Sequence, residues 1–189
     1  MTKAIHFLNH TSMMFEFDNW YLLMDPWPTS GNSFDGWKAH PPCFLNNKIL
    51  SAFMNASKNN SCLIISHAHD DHCDDEFLKS LSKDTKVFFP DYPSKGSLKR
   101  LKNNGLQNVV LLADLQNKSF GPFQISSYQL RSKITNDNSE DDSLFIIKTS
   151  DYLFIHANDN SVPFTDELID FIETEAKDQK IYFASQTGI

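Results

Sequence analysis

Short apolar runs punctuated by polar pairs and prolines dominate the first half of the chain. Ala4–Leu8, Ser12–Phe17 and Tyr21–Met24 are apolar and rich in strand-favouring residues, and Asp18-Asn19 predicts a turn joining the last two. Asp25-Pro26-Trp27-Pro28 stops that sheet, because proline cannot donate to a central ladder. The irregular stretch that follows, through Gly31, Gly36 and Pro41-Pro42, predicts a long loop over 25–47. Cys62–Ile65 reads as a brief strand. After it, Asp74, Asp75 and Glu76 place negative charge where a helix should begin, and Phe77, Leu78 and Leu81 give that helix an apolar face. Further strands are expected at Lys86–Phe89, Asn108–Leu112, Phe123–Leu130, Ser143–Thr149, Tyr152–Ile155 and Ile181–Ala184. Helices are expected at Ser97–Asn104, closed by Gly105, and at Pro163–Ala176, with a polar loop over Arg131–Asp142. Leading strands and interspersed helices predict a layered α/β domain with a mixed sheet.

Composition narrows the classes. At 189 residues and 40% hydrophobic, with 16 phenylalanines, the chain can bury a core as one domain over 1–189. Seventeen basic against 24 acidic side chains give a net charge of −7 and a pI near 5.4, so a phosphate backbone is repelled and nucleic acid is not the expected partner. No apolar run approaches the roughly 18 to 20 residues that span a bilayer, and the start lacks the apolar stretch of a signal peptide. Cys43, Cys62 and Cys73 are odd in number and do not read as a disulfide framework. The expected compartment is the cytoplasm.

One string carries chemistry: Ser66-His67-Ala68-His69-Asp70-Asp71-His72. At the end of a strand, residues two apart point the same way, so His67 and His69 can offer imidazoles to one metal ion. Asp71 and His72 lie one turn further on and can face a second ion. Imidazole plus carboxylate suits zinc, iron or manganese, and two such ions roughly 3.5–4 Å apart can activate a shared hydroxide. A solvated loop capping a helix is the plainer reading, but ligands this dense directly after an apolar strand favour a metal site.

Residues 67–72 match at every specified position the His-x-His-x-Asp-His motif of the metallo-β-lactamase-fold hydrolase superfamily, which the chain resembles. Phe7-Leu8-Asn9-His10-Thr11-Ser12 is similar to a Gly-His-Ala-Ser turn in the branch containing ascorbate-6-phosphate lactonase. Asp25-Pro26-Trp27, Phe34-Asp35-Gly36-Trp37, Pro41-Pro42 and Asn158-Asp159 resemble the CMP-N-acetylneuraminate hydroxylase-like, surface-polysaccharide branch. The resemblance implies an αββα sandwich of two mixed sheets with the site at one edge. It implies His67 and His69 on one ion, Asp71 and His72 on the other, and Asp159 as a carboxylate serving both. Asp25 is expected beside the ligands, hydrogen-bonded to a ligating imidazole. Two features depart from the pattern: no histidine occurs between 73 and 155, and none follows His156. His156 is therefore a candidate ligand or acid, and His10 a candidate general acid.

The resulting expectation is a hydrolase with up to two divalent ions, zinc first and manganese or iron as alternatives. A metal-activated hydroxide, oriented by Asp71 or Asp159, would attack a phosphodiester, lactone or related ester or amide, with His10 or His156 protonating the leaving group. The substrate would be a small molecule, such as a phosphorylated or nucleotide-linked sugar, and Trp27, Phe34 and Trp37 would wall the pocket. A di-iron oxygenase and a non-catalytic binding protein with a depleted site are the alternatives. The resemblance also implies that sheet and helix normally follow a turn like Gln186-Thr187-Gly188. The domain is thus expected to lack its usual C-terminal portion, to be incomplete as a two-metal enzyme, and to associate through an apolar edge near 181–184.

Overall fold

Alternating aromatic and aliphatic positions draw the N-terminal strands into an antiparallel meander: β1 (Lys3–Phe7), β2 (Met13–Phe17) and β3 (Trp20–Met24). Met13 lies opposite Met24, and Phe17 opposite Trp20. Asp18 makes the hairpin turn at φ 55°, a left-handed conformation that a short polar side chain tolerates. The structure, a computed structural model, describes residues 3–28, 38–44, 47–130, 142–160 and 163–185. Phe34, Asp35, Gly36 and Trp37, the stretch from Arg131 to 141, and Gln186-Thr187-Gly188 lie outside them.

The chain divides into two compact units, Met1–Phe89 with Lys95–Val110, and Pro90–Ser94 with Leu111–Ile189. The first sheet runs β1-β2-β3-β4-β5-β6, adding β4 (Ser61–Ile64), β5 (Lys86–Pro90) and β6 (Val109–Leu112). It is mixed, because β4 pairs parallel with both β3 and β5. Strand β4 is buried along its whole length, as expected of a central parallel strand with neighbours on both edges. Helices α1 (Lys48–Asn55), α2 (Asp75–Ser80) and α3 (Gly96–Asn103) make the connections.

The second sheet runs β11-β10-β9-β8-β7, from β7 (Lys118–Phe120), β8 (Phe123–Tyr128), β9 (Leu144–Lys148), β10 (Tyr152–His156) and β11 (Lys180–Ala184). It too is mixed: β11 runs parallel to β10 and the other pairs are antiparallel. Helix α4 (Asp166–Ala176) buries Leu168, Ile172 and Ala176, spaced at one helical face, against Leu144, Ile146, Leu153 and Ile155. Fully burying a leucine or isoleucine side chain of this kind is worth about 1.5–3 kcal/mol. Thr165 caps α4 by accepting from Leu168 N–H, so the helix begins there and not at Pro163.

Two elements were not expected from the sequence. Helix α1 begins directly after the loop expected over 25–47, where no element was expected, capped by Asn47, whose side chain accepts from Ile49 N–H. It hides only Leu50 and Phe53, too sparse a stripe to register as periodicity. Strand β7 is three residues long and owes its form to pairing with β8. Strand β8 ends at Tyr128, two residues short of Leu130.

Candidate metal centre

Four histidine and carboxylate donors follow β4. That strand ends at Ile64, and His67 and His69 lie in the irregular and turn backbone beyond it. Their juxtaposition therefore comes from loop geometry, and the strand alternation expected from sequence does not apply. His69 O accepts from the backbone N–H groups of both His72 (3.0 Å) and Cys73 (2.8 Å), which curls the chain back on itself. Asp74 then starts α2 by accepting from Glu76 and Phe77 N–H, with Asp75 and Glu76 in the first turn as the charge pattern predicts.

The curl brings the donors together. His67 Nε2 lies 2.8 Å from His69 Nδ1, with the rings 4.4 Å apart and nearly perpendicular. The His67 and His72 rings are 4.1 Å apart. Asp71 Oδ2 lies 3.5 Å from His72 Nε2. Two nitrogens on one tetrahedral zinc stand about 3.3 Å apart, given bonds of about 2.05 Å. The His67–His69 pair needs to open by only about half an ångström to hold such an ion.

Behind the donors, Asp25 sets their protons. It is fully buried, stands at φ 43° and follows β3 directly. Asp25 Oδ1 accepts from Ser66 N–H at 2.7 Å, and Oδ2 accepts from Ser66 Oγ–H at 2.6 Å and from His72 Nδ1–H at 3.0 Å. Ser66 Oγ spends its one proton on Asp25, so it accepts from His67 Nδ1–H at 2.9 Å. Both imidazoles thereby carry their proton on Nδ1 and turn an Nε2 lone pair toward the other donors, as a metal ligand requires. Burial first, and then the neighbouring His72 and His69, hold His67 well below the usual histidine range. The fit to a divalent ion rests on one further feature: Asp71 Oδ1 is buried without a hydrogen-bond partner, a costly arrangement unless something cationic meets it. Nitrogen and carboxylate donors of this kind suit zinc, manganese or iron.

His10 lies on the turn between β1 and β2. In that turn Asn9 Oδ1 accepts from Thr11 N–H, Thr11 Oγ–H and Ser12 N–H. Ser12 Oγ donates to Asp25 O and accepts from Trp27 N–H, so the Asn-His-Thr-Ser turn and the Asp-Pro-Trp segment are one interlocked unit. His10 Nδ1 lies 3.1 Å from His40 N and 3.2 Å from His40 O, and its ring meets the Trp27 ring edge to face at 5.4 Å. Trp27 is only 2% exposed, so it is part of the core and does not line a pocket wall. In the second unit, His156 is buried at the end of β10 and accepts from Asn158 N–H through Nδ1. Asn158 takes a left-handed turn conformation, φ 50°, locked by its Nδ2 donating to Ser143 O, and Asp159 follows it exposed in the turn. Because β10 stops at His156, strand alternation does not govern where Asp159 points.

Sequence reasoning missed two participants. Ser66 lies inside the string but has no metal-ligand chemistry, so its place as a hydrogen-bond bridge between Asp25 and His67 is visible only with Asp25 beside it. Arg100, on α3, donates from Nε to Asp75 Oδ1 (2.8 Å), pairs through Nη2 with Asp70 Oδ1 (2.8 Å) and donates from Nη1 to Ala68 O. Asn104 Nδ2 joins at Asp75 Oδ1 (2.7 Å). Burial raises the Asp75 carboxyl, but the hydrogen bonds from Arg100 and Asn104 outweigh it and hold the group below its ordinary value.

The β-lactamase superfamily domain family matches residues 4–175. No curated protein matches the sequence. Among solved structures, the isothiocyanate hydrolase from Delia radicum gut bacteria is similar at 14% identity and a TM-score of 0.62, over 90% of this chain and 67% of that one. CmlA, a diiron β-hydroxylase from Streptomyces venezuelae, is similar at 19% identity and 0.54, over 81% of this chain and 28% of that one. Zn2+-bound PqqB from Methylobacterium extorquens is similar at 12% identity and 0.52, over 91% and 56%. The chain thus spans under a third of CmlA and about two thirds of the isothiocyanate hydrolase. At these identities the likeness is one of fold, the metallo-β-lactamase-like α/β arrangement of two mixed sheets. That fold includes hydrolases and a hydroxylase, so the reaction must be argued from the residues.

Proposed function

The chain belongs to the β-lactamase superfamily, and on that premise we propose that it is a metal-dependent hydrolase acting on a small phosphodiester, lactone or related ester or amide. The observation that carries the reading is the convergence of His67 Nε2 and His69 Nδ1, beside Asp71 and His72, with Asp25 and Ser66 fixing the tautomers behind them. His67 and His69 would hold one divalent ion, and Asp71 and His72 a second, with Asp159 as the further carboxylate that the family resemblance implies. A bound ion of this kind supplies a hydroxide at neutral pH and polarises the bond to be broken.

The chain's own residues supply the rest. Asp25 and Ser66 keep the imidazole lone pairs available, and the buried His67–His72 wall excludes water from the back of the cluster. Asp71, whose Oδ1 is buried without a partner, orients the attacking oxygen. His10 is the proposed donor to the leaving group, and His156 the alternative. A sugar-linked or nucleotide-linked ester is the proposed substrate class, from the resemblance to the surface-polysaccharide branch. No helix among the described residues is long and apolar enough to cross a membrane; the cytoplasm is the proposed compartment. A second copy is the proposed partner, through β11.

The test is elemental analysis of purified protein together with hydrolysis of a panel of lactones and phosphodiesters after loading with Zn2+, Mn2+ or Fe2+. Bound metal with turnover of one ester class supports the reading. Less than one ion per chain and no turnover with any metal would make it a binding protein. The likeness to CmlA favours one rival, a di-iron oxygenase, which tightly bound iron with a visible absorption band and no hydrolysis would establish instead.

A further inference from the structure

The guanidinium of Arg100 reaches one arc of chain at three points. Nη1 donates to Ala68 O, between His67 and His69; Nη2 pairs with Asp70, between His69 and Asp71; and Nε donates to Asp75, where α2 begins. All four donors at 67–72 lie on or beside this arc. Upstream, the arc is anchored by Ser66 on Asp25, and downstream by the Asp74 cap of α2. Between those anchors the arc is held by His72 on Asp25 and, from α3, by Arg100 at three points. Arg100 is one of two arginines in the chain, on a helix otherwise basic through lysines 99 and 102.

We propose that Arg100 is a positioning residue for the donor arc: its planar fork fixes the backbone at 68–75 so that His67, His69, Asp71 and His72 are converged before an ion arrives. The inference rests on the metal-site reading above. Arginine suits the task because its N–H groups leave a rigid plane in fixed directions, and here three of them meet three different acceptors. A lysine carries the same charge but is a point donor on a flexible stem, and cannot reproduce the fork.

Charge and geometry pull in opposite directions here, which makes the proposal decidable. A fixed positive group beside a cation site weakens cation binding by Coulomb repulsion, so removing it tightens binding if charge is all that matters. Removing a latch instead loosens the donors and weakens binding. Arg100→Ala and Arg100→Lys are therefore compared with the wild type in Zn2+ affinity by chelator competition, in Co2+ absorption, and in melting temperature without metal. Both variants are expected to bind Zn2+ roughly 10-fold more weakly, the scale of lost outer-sphere partners. They are also expected to show an altered Co2+ spectrum, and the affinity loss should persist at high salt, where charge effects are screened.

Tighter or unchanged Zn2+ binding by Arg100→Ala, or wild-type affinity and spectrum in Arg100→Lys, would overturn the proposal. So would a lowered melting temperature with unchanged affinity, which would make Arg100 a tie between helices and nothing more. Should the alanine variant not fold, the lysine variant decides alone, since it keeps the charge and the stem and loses only the fork. A wild type that binds no Zn2+, Mn2+ or Fe2+ overturns the metal-site reading itself, and with it the role of Arg100. Failure of the latch alone leaves wild-type binding intact.

Discussion

Asp25 Oδ2 accepts a hydrogen bond from His72 Nδ1 at 3.0 Å, and neither side chain has any solvent exposure. The pair links the end of β3 to the arc after β4, 47 residues away in sequence. It makes the protonation state of a proposed ligand the property of a carboxylate that touches no ion.

Asp25→Asn tests that link with almost no change of shape. The amide has one acceptor oxygen and one donor nitrogen where the carboxylate has two acceptors. With its Nδ2 toward His72, the amide would donate to Nδ1 and drive the imidazole proton onto Nε2, closing the lone pair that faces Asp71. Metal affinity should fall about 10- to 100-fold, with the ion held by Asp71 and His72 lost first. NMR of the histidine ring nitrogens should show His72 protonated on Nε2. An unchanged tautomer with unchanged stoichiometry would refute the account.

His69 is exposed, whereas His67 and His72 are buried. His69→Ala should therefore still fold, at a cost of about 1–3 kcal/mol for the lost bond to buried His67 Nε2. It should nonetheless lose its metal and any hydrolytic activity together. Retention of full stoichiometry would remove His69 from the ligand set.

The pH dependence of the metal-free protein follows from His67. Its folded pKa lies well below the ordinary value, through burial first and then the adjacent imidazoles, while in the unfolded chain it titrates near 6.5. Below about pH 6.5 the unfolded state therefore binds a proton that the folded state refuses. Stability contributed by this group is present above that pH and is lost as pH falls, by up to about 1.4 kcal/mol per pH unit. Thermal melts of metal-free protein should drop between about pH 7 and pH 5.5, and the drop should shrink in His67→Gln. An equal drop in both proteins would assign the effect to other groups.

How much of this was legible in the sequence depends on how local each feature is. Strands β1 to β5 and β8 to β10 follow from alternating or continuous apolar runs bounded by turns, and the donor string stands out because its residues are adjacent. Asp25 was expected near a ligand from a sheet-ending carboxylate and the resemblance, and it does contact His72. What was not legible is what crosses long stretches of chain. Arg100 meets Ala68 and Asp75 from 32 and 25 residues away, and nothing in a lysine-rich helix marks one basic residue as a tether. Trp27 was expected as a pocket wall, and its burial, at 2% exposure, shows it to be core.

The last prediction concerns β11. Among the described residues it pairs only with β10 and ends the sheet order, and Ile181, Tyr182 and Phe183 are each about half exposed. Tyr182 packs on Tyr152 and Phe183 on Phe164, one contact on each face of the strand, yet each residue remains about half exposed. An edge with free backbone groups and apolar side chains is a template for another strand, and the proposed occupant is β11 of a second copy, with the two edges antiparallel across a two-fold axis. Sedimentation of the chain should therefore show a concentration-dependent dimer. The pair Ile181→Lys and Phe183→Lys puts two charges on one face of the edge, where lysine opposes strand addition, and should shift the equilibrium to monomer without changing Zn2+ stoichiometry. A wild type that stays monomeric at every concentration, or a lysine variant that dimerises as readily, would exclude this edge as the interface.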